Sequence, residues 1–236
     1  MNSEITLDIF HEDAATGIIN ISTPYTGENE MQHTQKIEIP NGVDPEVVMN
    51  VARTLLKLEG GNKLRDGMKE TPVRVAKAFK TWFSGYDIDI KSLFKTFEDG
   101  AQGSDEMVIV RDIPVYSHCE HHMAPIIGRA VVGYVPNGKI VGLSKLSRVV
   151  DAFARRLQVQ ERLTNQIADA IEEHLNAKAV CVYIDARHMC MESRGVKQSC
   201  GSSTITKAFR GATSRQGIVE TDMGEIWRRE FLEACK

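Results

Sequence analysis

The six-residue stretch 117–122 (SHCEHH) places one thiol, one carboxylate and three imidazoles next to one another. Ionisable side chains at this density are costly to bury unless they are paired or bind a metal. Cys119 and His122 are three residues apart, a spacing at which a tight turn or one helical turn presents both side chains to one ion. Two protein ligands do not hold a zinc ion, so the fold must bring a third ligand from elsewhere in the chain.

Residues 185–190 (DARHMC) are the obvious source of that ligand, because they hold a second His and Cys close together. A zinc ion held by Cys119, His122 and Cys190 would keep a fourth position for water, which is the pattern of a catalytic site. His121 and His188 would then lie beside the metal, where imidazoles can move protons at neutral pH. A purely structural metal is the simpler alternative.

Nucleobase deamination is a rival chemistry, because residues 118–120 fit the H-x-E pattern of zinc deaminases. The matching P-C-x-x-C is absent, and the interval from Cys190 to Cys200 is too wide to replace it. The sequence therefore argues against a deaminase.

The 236 residues are sufficient for one large domain or two small ones, with 42% hydrophobic and 26% charged residues. No apolar run approaches the roughly 18 residues that span a membrane, and the first ten residues do not resemble a secretory signal. Five cysteines, all in the second half, do not form a disulfide framework. We therefore expect a cytoplasmic protein with metal-binding or buried thiols and no membrane partner.

Charge is unevenly distributed along the chain. Residues 1–40 hold seven acidic side chains and one lysine, a net charge of −6, so the total of −3 leaves +3 for the remainder. A mildly basic body suits a small anionic substrate, but it is far below the basic excess of a general nucleic-acid binder. We expect no nucleic-acid partner.

Periodicity predicts an α+β fold with an antiparallel sheet backed by helices. Residues 1–40 are predicted to form a variable, partly disordered acidic arm, and residues 41–236 the folded body. N-terminal helices are expected within 44–84, and the core within 105–236. Strands are expected near 107–116, 126–135, 179–185 and 204–209, with a hairpin at Asn137 and Gly138 leading to 140–141. Further helices are expected from Ser144, from 160 to 175 and from 220 to 235.

Two pairs of basic residues lie on the predicted helices. Arg74 and Lys77 share a helix face, for which a solvated surface is the simpler interpretation. Lys145 and Arg148 lie in the first turn of the helix that opens at Ser144, where cations oppose the helix dipole. That position is favourable if an anion such as phosphate binds there.

Five motifs, in order, make residues 44–236 resemble GTP cyclohydrolase I. They are TPVRVAK at 71–77, CEHH at 119–122, GLSK at 142–145, QVQERL at 158–163, and HMC at 188–190 with Arg194 and Gly195. The resemblance implies a tunnelling fold whose subunit sheets join into a β-barrel ring. It also implies a homodecamer of two pentamers, with active sites at subunit interfaces.

The resemblance also implies roles for individual residues. One zinc per subunit would be held by Cys119, His122 and Cys190. Gln160 and Glu161 would bind the guanine edge, and Ser144 would contact the ribose. The triphosphate would be bound by the basic side chains Arg74, Lys77, Lys145, Arg148 and Arg194.

The activity implied is zinc-dependent hydrolysis of GTP to 7,8-dihydroneopterin triphosphate and formate, the first step of tetrahydrofolate or pterin biosynthesis. Zinc would activate water for attack at C8 of the purine. His188 would protonate the imidazole nitrogen, and His121 would serve the proton transfers on the ribose side.

Two residues depart from the expected pattern. His118 stands where an apolar or small polar residue is expected, and we interpret it as an idle neighbour of the site. The role of Cys200 stays open. Two other classes remain as alternatives: a catalytically inactive ring-forming homologue, and a related tunnelling-fold enzyme acting on another pterin or purine. The chain keeps every residue whose loss would indicate the first, and it has the Cys-Glu-His-His motif that the second would lack.

Overall fold

The computed structural model describes residues 10–13, 18–21, 38–59, 64–98, 103, 106–214 and 222–236. These fall into two units, residues 1–80 and residues 81–236. No helix among the described residues is both long and apolar enough to cross a membrane.

The first unit contains a short strand pair and most of two helices. Strands β1 (Phe10–Asp13) and β2 (Ile18–Ile21) pair antiparallel, which the sequence did not predict; the rest of the predicted arm up to residue 37 lies outside the described residues. Helix α1 (Pro45–Leu56) begins where Asp44 accepts a hydrogen bond from the backbone N–H of Glu46 at 2.8 Å. Helix α2 (Thr71–Trp82) starts at the predicted Thr-Pro pair.

The second unit contains the main sheet and four helices. In chain order its elements are β3 (Thr96–Phe97), β4 (Val108–Cys119), β5 (Pro125–Val135), β6 (Ile140–Val141), α3 (Leu143–Ala154), β7 (Leu157–Gln158), α4 (Gln160–Leu175), β8 (Ala179–His188), α5 (Met189–Glu192), β9 (Thr204–Gly211) and α6 (Asp222–Ala234).

The main sheet has the strand order β7-β4-β5-β8-β9, and every neighbouring pair is antiparallel except the short pair β4 and β7. Helices α3 and α4 pack on one face with residues such as Leu146, Leu163 and Ile167, all fully buried. On the other face, Trp227 and Phe231 of α6 cover a smaller apolar cluster. The predicted α+β architecture, an antiparallel sheet backed by helices as in the tunnelling fold, is confirmed; the ring of subunits stays a prediction.

The hairpin predicted at Asn137 and Gly138 is wrong in its pairing. Gly138 does turn the chain, with φ of +72°. However, β6 pairs with β3 and not with β5. The reason is that β5 already hydrogen-bonds to β4 on one side and to β8 on the other, so it has no free edge for β6.

The sheet brings the two halves of the candidate site together. Strands β4 and β8 flank β5 and are both antiparallel to it, so they run in the same direction and end at the same edge of the sheet. The start of β5 pairs with the ends of both, since Pro125 lies opposite His118 and Ile126 opposite His188. Segments about 70 residues apart therefore meet at this edge.

Candidate functional site

A tight turn at the end of β4 brings Cys119 and His122 together. The backbone N–H of Met123 donates to the carbonyl of Cys119 at 2.7 Å, and that of Cys119 donates to Ala124 at 2.8 Å. Met123 closes the turn with φ of +53°, in the left-handed region. As a result Nδ1 of His122 lies 3.9 Å from Sγ of Cys119.

Cys190 comes to the same place from the end of β8. It lies in the short helix α5, and the Arg187 guanidinium braces this segment by donating from Nε to Glu192 at 2.8 Å. One ligand atom from each of Cys119, His122 and Cys190 lies within 4.8 Å of the others. A tetrahedral zinc ion with Zn–S near 2.3 Å and Zn–N near 2.0 Å would hold such atoms about 3.5–3.8 Å apart. Small side-chain movements would therefore suffice to bring the three ligand atoms to the distances that zinc requires.

The chemistry of these donors suits zinc. Burial, and then the neighbouring Cys119, raise the pKa of the Cys190 thiol. Two adjacent thiolates are therefore unfavourable unless a cation lies between them. Two sulfurs and one imidazole nitrogen form a soft donor set that favours zinc over magnesium or calcium.

His121 lies beside this group and is held loosely. Its Nδ1 lies 3.7 Å from Sγ of Cys119, and its Nε2 lies 3.8 Å from the Glu120 carboxylate. Arg162 forms a short ion pair with the same carboxylate and lowers the pKa of Glu120. Arg162 also donates to Oε1 of Gln158 at 3.1 Å, so it links the turn formed by residues 119–123, called the metal turn below, to the end of β7.

His122 has a second contact, with Arg194. Nη1 of the guanidinium lies 2.9 Å from Nε2 of His122. Arg194 follows α5, in a turn where Gly195 has φ of +64°. A residue predicted to bind phosphate thus lies directly against a predicted metal ligand.

His188 is half-buried at the end of β8, and its Nε2 lies 2.6 Å from Oε1 of Gln160. Burial lowers the pKa of His188, and the carboxylate of Glu161 opposes part of that shift. Gln160 is buried, whereas Glu161, the next residue in the first turn of α4, is exposed. The adjacent pair predicted to bind guanine therefore occupies two very different environments.

The remaining predicted substrate residues lie on α3 and α2. Ser144 and Arg148 are exposed and Lys145 is half-buried, all in the first turns of α3. No hydrogen bond or ion pair among the described residues joins them to the cysteine–histidine group. Arg74 and Lys77 lie on α2 in the first unit, where Arg74 pairs with Glu70 at 2.8 Å.

Three other residues singled out by the sequence have identifiable environments. His118 is buried against the rings of Trp82 and Phe83, with centroid distances of 4.9 and 5.3 Å, and it is not part of the metal-binding group. Cys200 is exposed, with its sulfur 3.5 Å from Nη2 of Arg187. Cys181 is fully buried within β8, as predicted.

Sequence reasoning assigned no role to four residues that support the site: Glu120, Arg162, Thr164 and Thr206. Arg162 donates to Gln158, four residues earlier, but Gln158 belongs to β7 and Arg162 to α4, so helix periodicity does not predict this contact. The contacts of Arg162 with Glu120 and of Thr164 with Thr206 each span 42 residues.

Comparison with known proteins bears on this arrangement. The family model described as GTP cyclohydrolase I matches residues 48–227. "GTP cyclohydrolase 1" of Janthinobacterium sp. (strain Marseille) is 56% identical over 180 residues, covering 76% of this chain and 86% of the relative. "GTP cyclohydrolase 1" of Nitrosospira multiformis is 54% identical over 157 residues, covering 66% of this chain and 82% of the relative.

Among solved structures, the archaeosine synthase QueF-Like in its apo form is similar over 45% of this chain and 94% of its own. Its TM-score is 0.37 and its sequence identity 17%. The family assignment depends instead on the family model, which matches more than half of the chain, and on the sequence relatives. The resemblance inferred from the five motifs is thereby confirmed: the chain belongs to the GTP cyclohydrolase I family.

Proposed function

We propose that the protein hydrolyses GTP to 7,8-dihydroneopterin triphosphate and formate in a zinc-dependent reaction, the first step of tetrahydrofolate or pterin biosynthesis. The observation that carries this proposal is the convergence of Cys119, His122 and Cys190 within 4.8 Å, with Nδ1 of His121 3.7 Å from Sγ of Cys119. A bound zinc ion would supply a Lewis acid that lowers the pKa of water towards neutrality. Each subunit would hold one such ion.

The two histidines divide the proton transfers by position. His188 is half-buried and held by Gln160, so it presents a fixed ring to one part of the substrate. We assign it the protonation of the purine imidazole nitrogen as that ring opens. The side chain of His121 is 62% exposed and contacts Glu120 at 3.8 Å, so its ring is freer to serve the ribose during rearrangement.

Recognition of GTP follows from charge and exposure. Glu161 presents an exposed carboxylate beside His188, suited to accept hydrogen bonds from the guanine edge. Ser144 would contact the ribose. The triphosphate would be bound by Arg74, Lys77, Lys145, Arg148 and Arg194, through charge-assisted hydrogen bonds.

We propose that the active unit is a ring, in which neighbouring subunits complete each site. Residues 41–236 would form the catalytic domain and the first 40 residues a variable arm. A homodecamer of two pentamers is the assembly that the family resemblance implies. We place the protein in the cytoplasm, consistent with five cysteines that are all free thiols.

GTP turnover by the purified protein tests the proposal. Formate release and the fluorescence of the oxidised neopterin product would be followed on a sample of known zinc content. We expect Cys190→Ser to lose both zinc and turnover. The matched control is Cys200→Ser, which removes an exposed thiol outside the metal-binding group and should retain both. Absence of turnover in wild-type protein carrying about one zinc per chain would contradict the GTP assignment.

A further inference from the structure

We propose that Gln160 is a positioning residue that fixes the ring orientation and the tautomer of His188, and that its side chain does not read the guanine base. This inference rests on the proposed function, because it assigns His188 a defined nitrogen for proton transfer. It replaces the guanine contact that the sequence resemblance implied for Gln160. Four observations about Gln160 and its neighbours lead to it.

The first observation is that the side-chain amide of Gln160 is buried and that both of its N–H groups are hydrogen-bonded. The residue is 2% exposed. Its Nε2 lies 2.8 Å from the carbonyl of Thr204, 3.1 Å from Oγ1 of Thr206 and 3.2 Å from the carbonyl of Ile184. Both N–H groups therefore point at acceptors on β8 and β9, within the sheet. A guanine base would find neither of them free.

The second observation is that the orientation of this amide is not arbitrary. Exchanging its nitrogen and oxygen would place Oε1 against the carbonyl oxygens of Thr204 and Ile184, and two acceptors in contact repel each other. Two carbonyl groups therefore select the orientation with Nε2 towards the sheet. Oε1 must then point in the opposite direction, towards His188.

The third observation is a closed circuit of donors that holds the amide in place. Oγ1 of Thr206 accepts from Gln160 and lies 2.6 Å from Oγ1 of Thr164. Oγ1 of Thr164, in turn, donates to the backbone carbonyl of Gln160 at 2.7 Å. Each hydroxyl has one proton, so Thr206 donates to Thr164 and every donor in the circuit has an acceptor. Such a network is rigid, since breaking any bond leaves a buried polar group unpaired.

The fourth observation is the contact with His188. Oε1 of Gln160 lies 2.6 Å from Nε2 of the ring. An amide oxygen can only accept, so Nε2 must carry a proton. In the neutral imidazole that leaves Nδ1 without one. His188 therefore exchanges protons with substrate through Nδ1, and Gln160 is the group that assigns this role to it.

Steady-state kinetics separate positioning from base recognition. Gln160→Met keeps the length of the side chain and removes both hydrogen-bonding groups. We expect kcat for GTP to fall about 100-fold, the lower end of the contribution of a positioned general acid or base, with KM unchanged. A guanine contact would instead raise KM. It would also alter the preference for GTP over ITP, which lacks the exocyclic amino group, whereas positioning leaves that ratio unchanged.

Thr206 offers a matched pair of variants that do not alter Gln160 itself. Thr206→Val keeps the shape of the side chain but removes the hydroxyl that accepts from the amide. We expect a fall in kcat of about tenfold with KM unchanged, smaller than for Gln160→Met because Gln160 keeps its other partners. Thr206→Ser restores the hydroxyl and should restore kcat. Equal activity of all three proteins would overturn the proposal.

A spectroscopic measurement tests the tautomer without relying on turnover. Solid-state ¹⁵N NMR of histidine-labelled protein distinguishes a ring protonated at Nε2 from one protonated at Nδ1, and His188→Gln identifies the signal. We expect the Nε2–H form in the wild type and loss of that preference in Gln160→Met. An Nδ1–H form would refute the inference even if GTP is turned over. A protein without GTP turnover but with the Nε2–H form would refute the proposed function alone.

Discussion

Arg194 and His122 are 72 residues apart in sequence, yet their Nη1 and Nε2 atoms lie 2.9 Å apart. A guanidinium can only donate, so Nε2 of His122 is the acceptor in this contact. A His122 ring that ligates a metal through Nδ1 carries its remaining proton on Nε2, and Arg194 has no lone pair to receive it. Zinc binding through Nδ1 of His122, as proposed above, would therefore release Arg194 to bind a phosphate group.

Arg194→Gln should consequently weaken the binding of GTP but not of zinc. Loss of a charge-assisted hydrogen bond costs about 1.5–3 kcal/mol, which corresponds to a roughly 10- to 150-fold rise in KM where KM reflects binding. Kinetics with GTP and zinc analysis of the same sample check this prediction. Arg194→Lys keeps the charge and should show a smaller rise. Loss of zinc from Arg194→Gln would show that the contact instead supports His122.

The ion pair between Arg162 and Glu120 should contribute to metal affinity without contributing a ligand. Arg162 holds the carboxylate that follows Cys119 and also bonds to Gln158, so it limits the movement of the metal turn. Outer-shell partners of this kind are worth about 10- to 100-fold in metal affinity. We expect Arg162→Met to bind zinc at least tenfold more weakly in competition with a chromophoric chelator.

Arg129→Met is the control for that measurement. Arg129 forms a comparable exposed ion pair with Asp112 at 3.2 Å on the main sheet and makes no contact with the metal turn. Zinc affinity should be the same as in the wild type. An equal loss of affinity in both variants would point to a general loss of stability.

Close packing of β5 against β8 should make Gly128→Ala strongly destabilising. An added Cβ would lie 2.2 Å from the carbonyl oxygen of Asp185 and 2.5 Å from Cα of Ala186. Backbone atoms of a central strand cannot move aside cheaply, so we expect a loss of about 1–3 kcal/mol in the free energy of unfolding. Gly67→Ala adds a methyl group with no atom within 4 Å and should leave the urea midpoint nearly unchanged.

Thiol reactivity should follow burial and pKa. Burial raises the pKa of Cys181 to about 12 and that of Cys235 to about 11, whereas Cys200 is exposed. Because the thiolate is the reactive form, a Cys181 thiol of which less than roughly one in a thousand is deprotonated at pH 8 would react slowly even if a reagent reached it. Brief treatment with iodoacetamide, followed by mass spectrometry, should modify Cys200 and leave Cys181 unmodified.

Raising the pH to 9 should leave Cys181 protected, since that pH is still far below its pKa. In Cys200→Ser the rapid modification should disappear. Rapid labelling of Cys181 in native protein would contradict the burial of β8 described above.

Local sequence patterns predicted the helices well because each helix buries one continuous stripe of apolar side chains. The amphipathic spacing of Leu163, Ile167 and Ile171 gave α4 its bounds, and the Asp-Pro and Thr-Pro pairs gave the starts of α1 and α2. The strands were predicted too short at their ends. Ser117 and Arg187 interrupt the apolar pattern, yet backbone pairing with β5 continues through both.

The site was predictable to the extent that it depends on residue types. Thiols and imidazoles in short clusters identify metal-binding chemistry wherever they lie, so the three candidate ligands were found from sequence. The supporting bonds were not, because Gln160 with Thr206 and Glu120 with Arg162 are joined only by the tertiary fold. The predicted partner of β6 was wrong for the same reason, since strand pairing depends on residues far apart in the sequence.

Strand β9 is the last strand of the main sheet, and among the described residues it pairs with β8 alone. Its eight residues therefore present one row of backbone donors and acceptors to the outside, and Ile205 adds an exposed apolar side chain. A strand edge of this length can template indiscriminate pairing with other chains. We therefore expect precipitation to compete with folding when the protein is concentrated, and dilute refolding to reduce it.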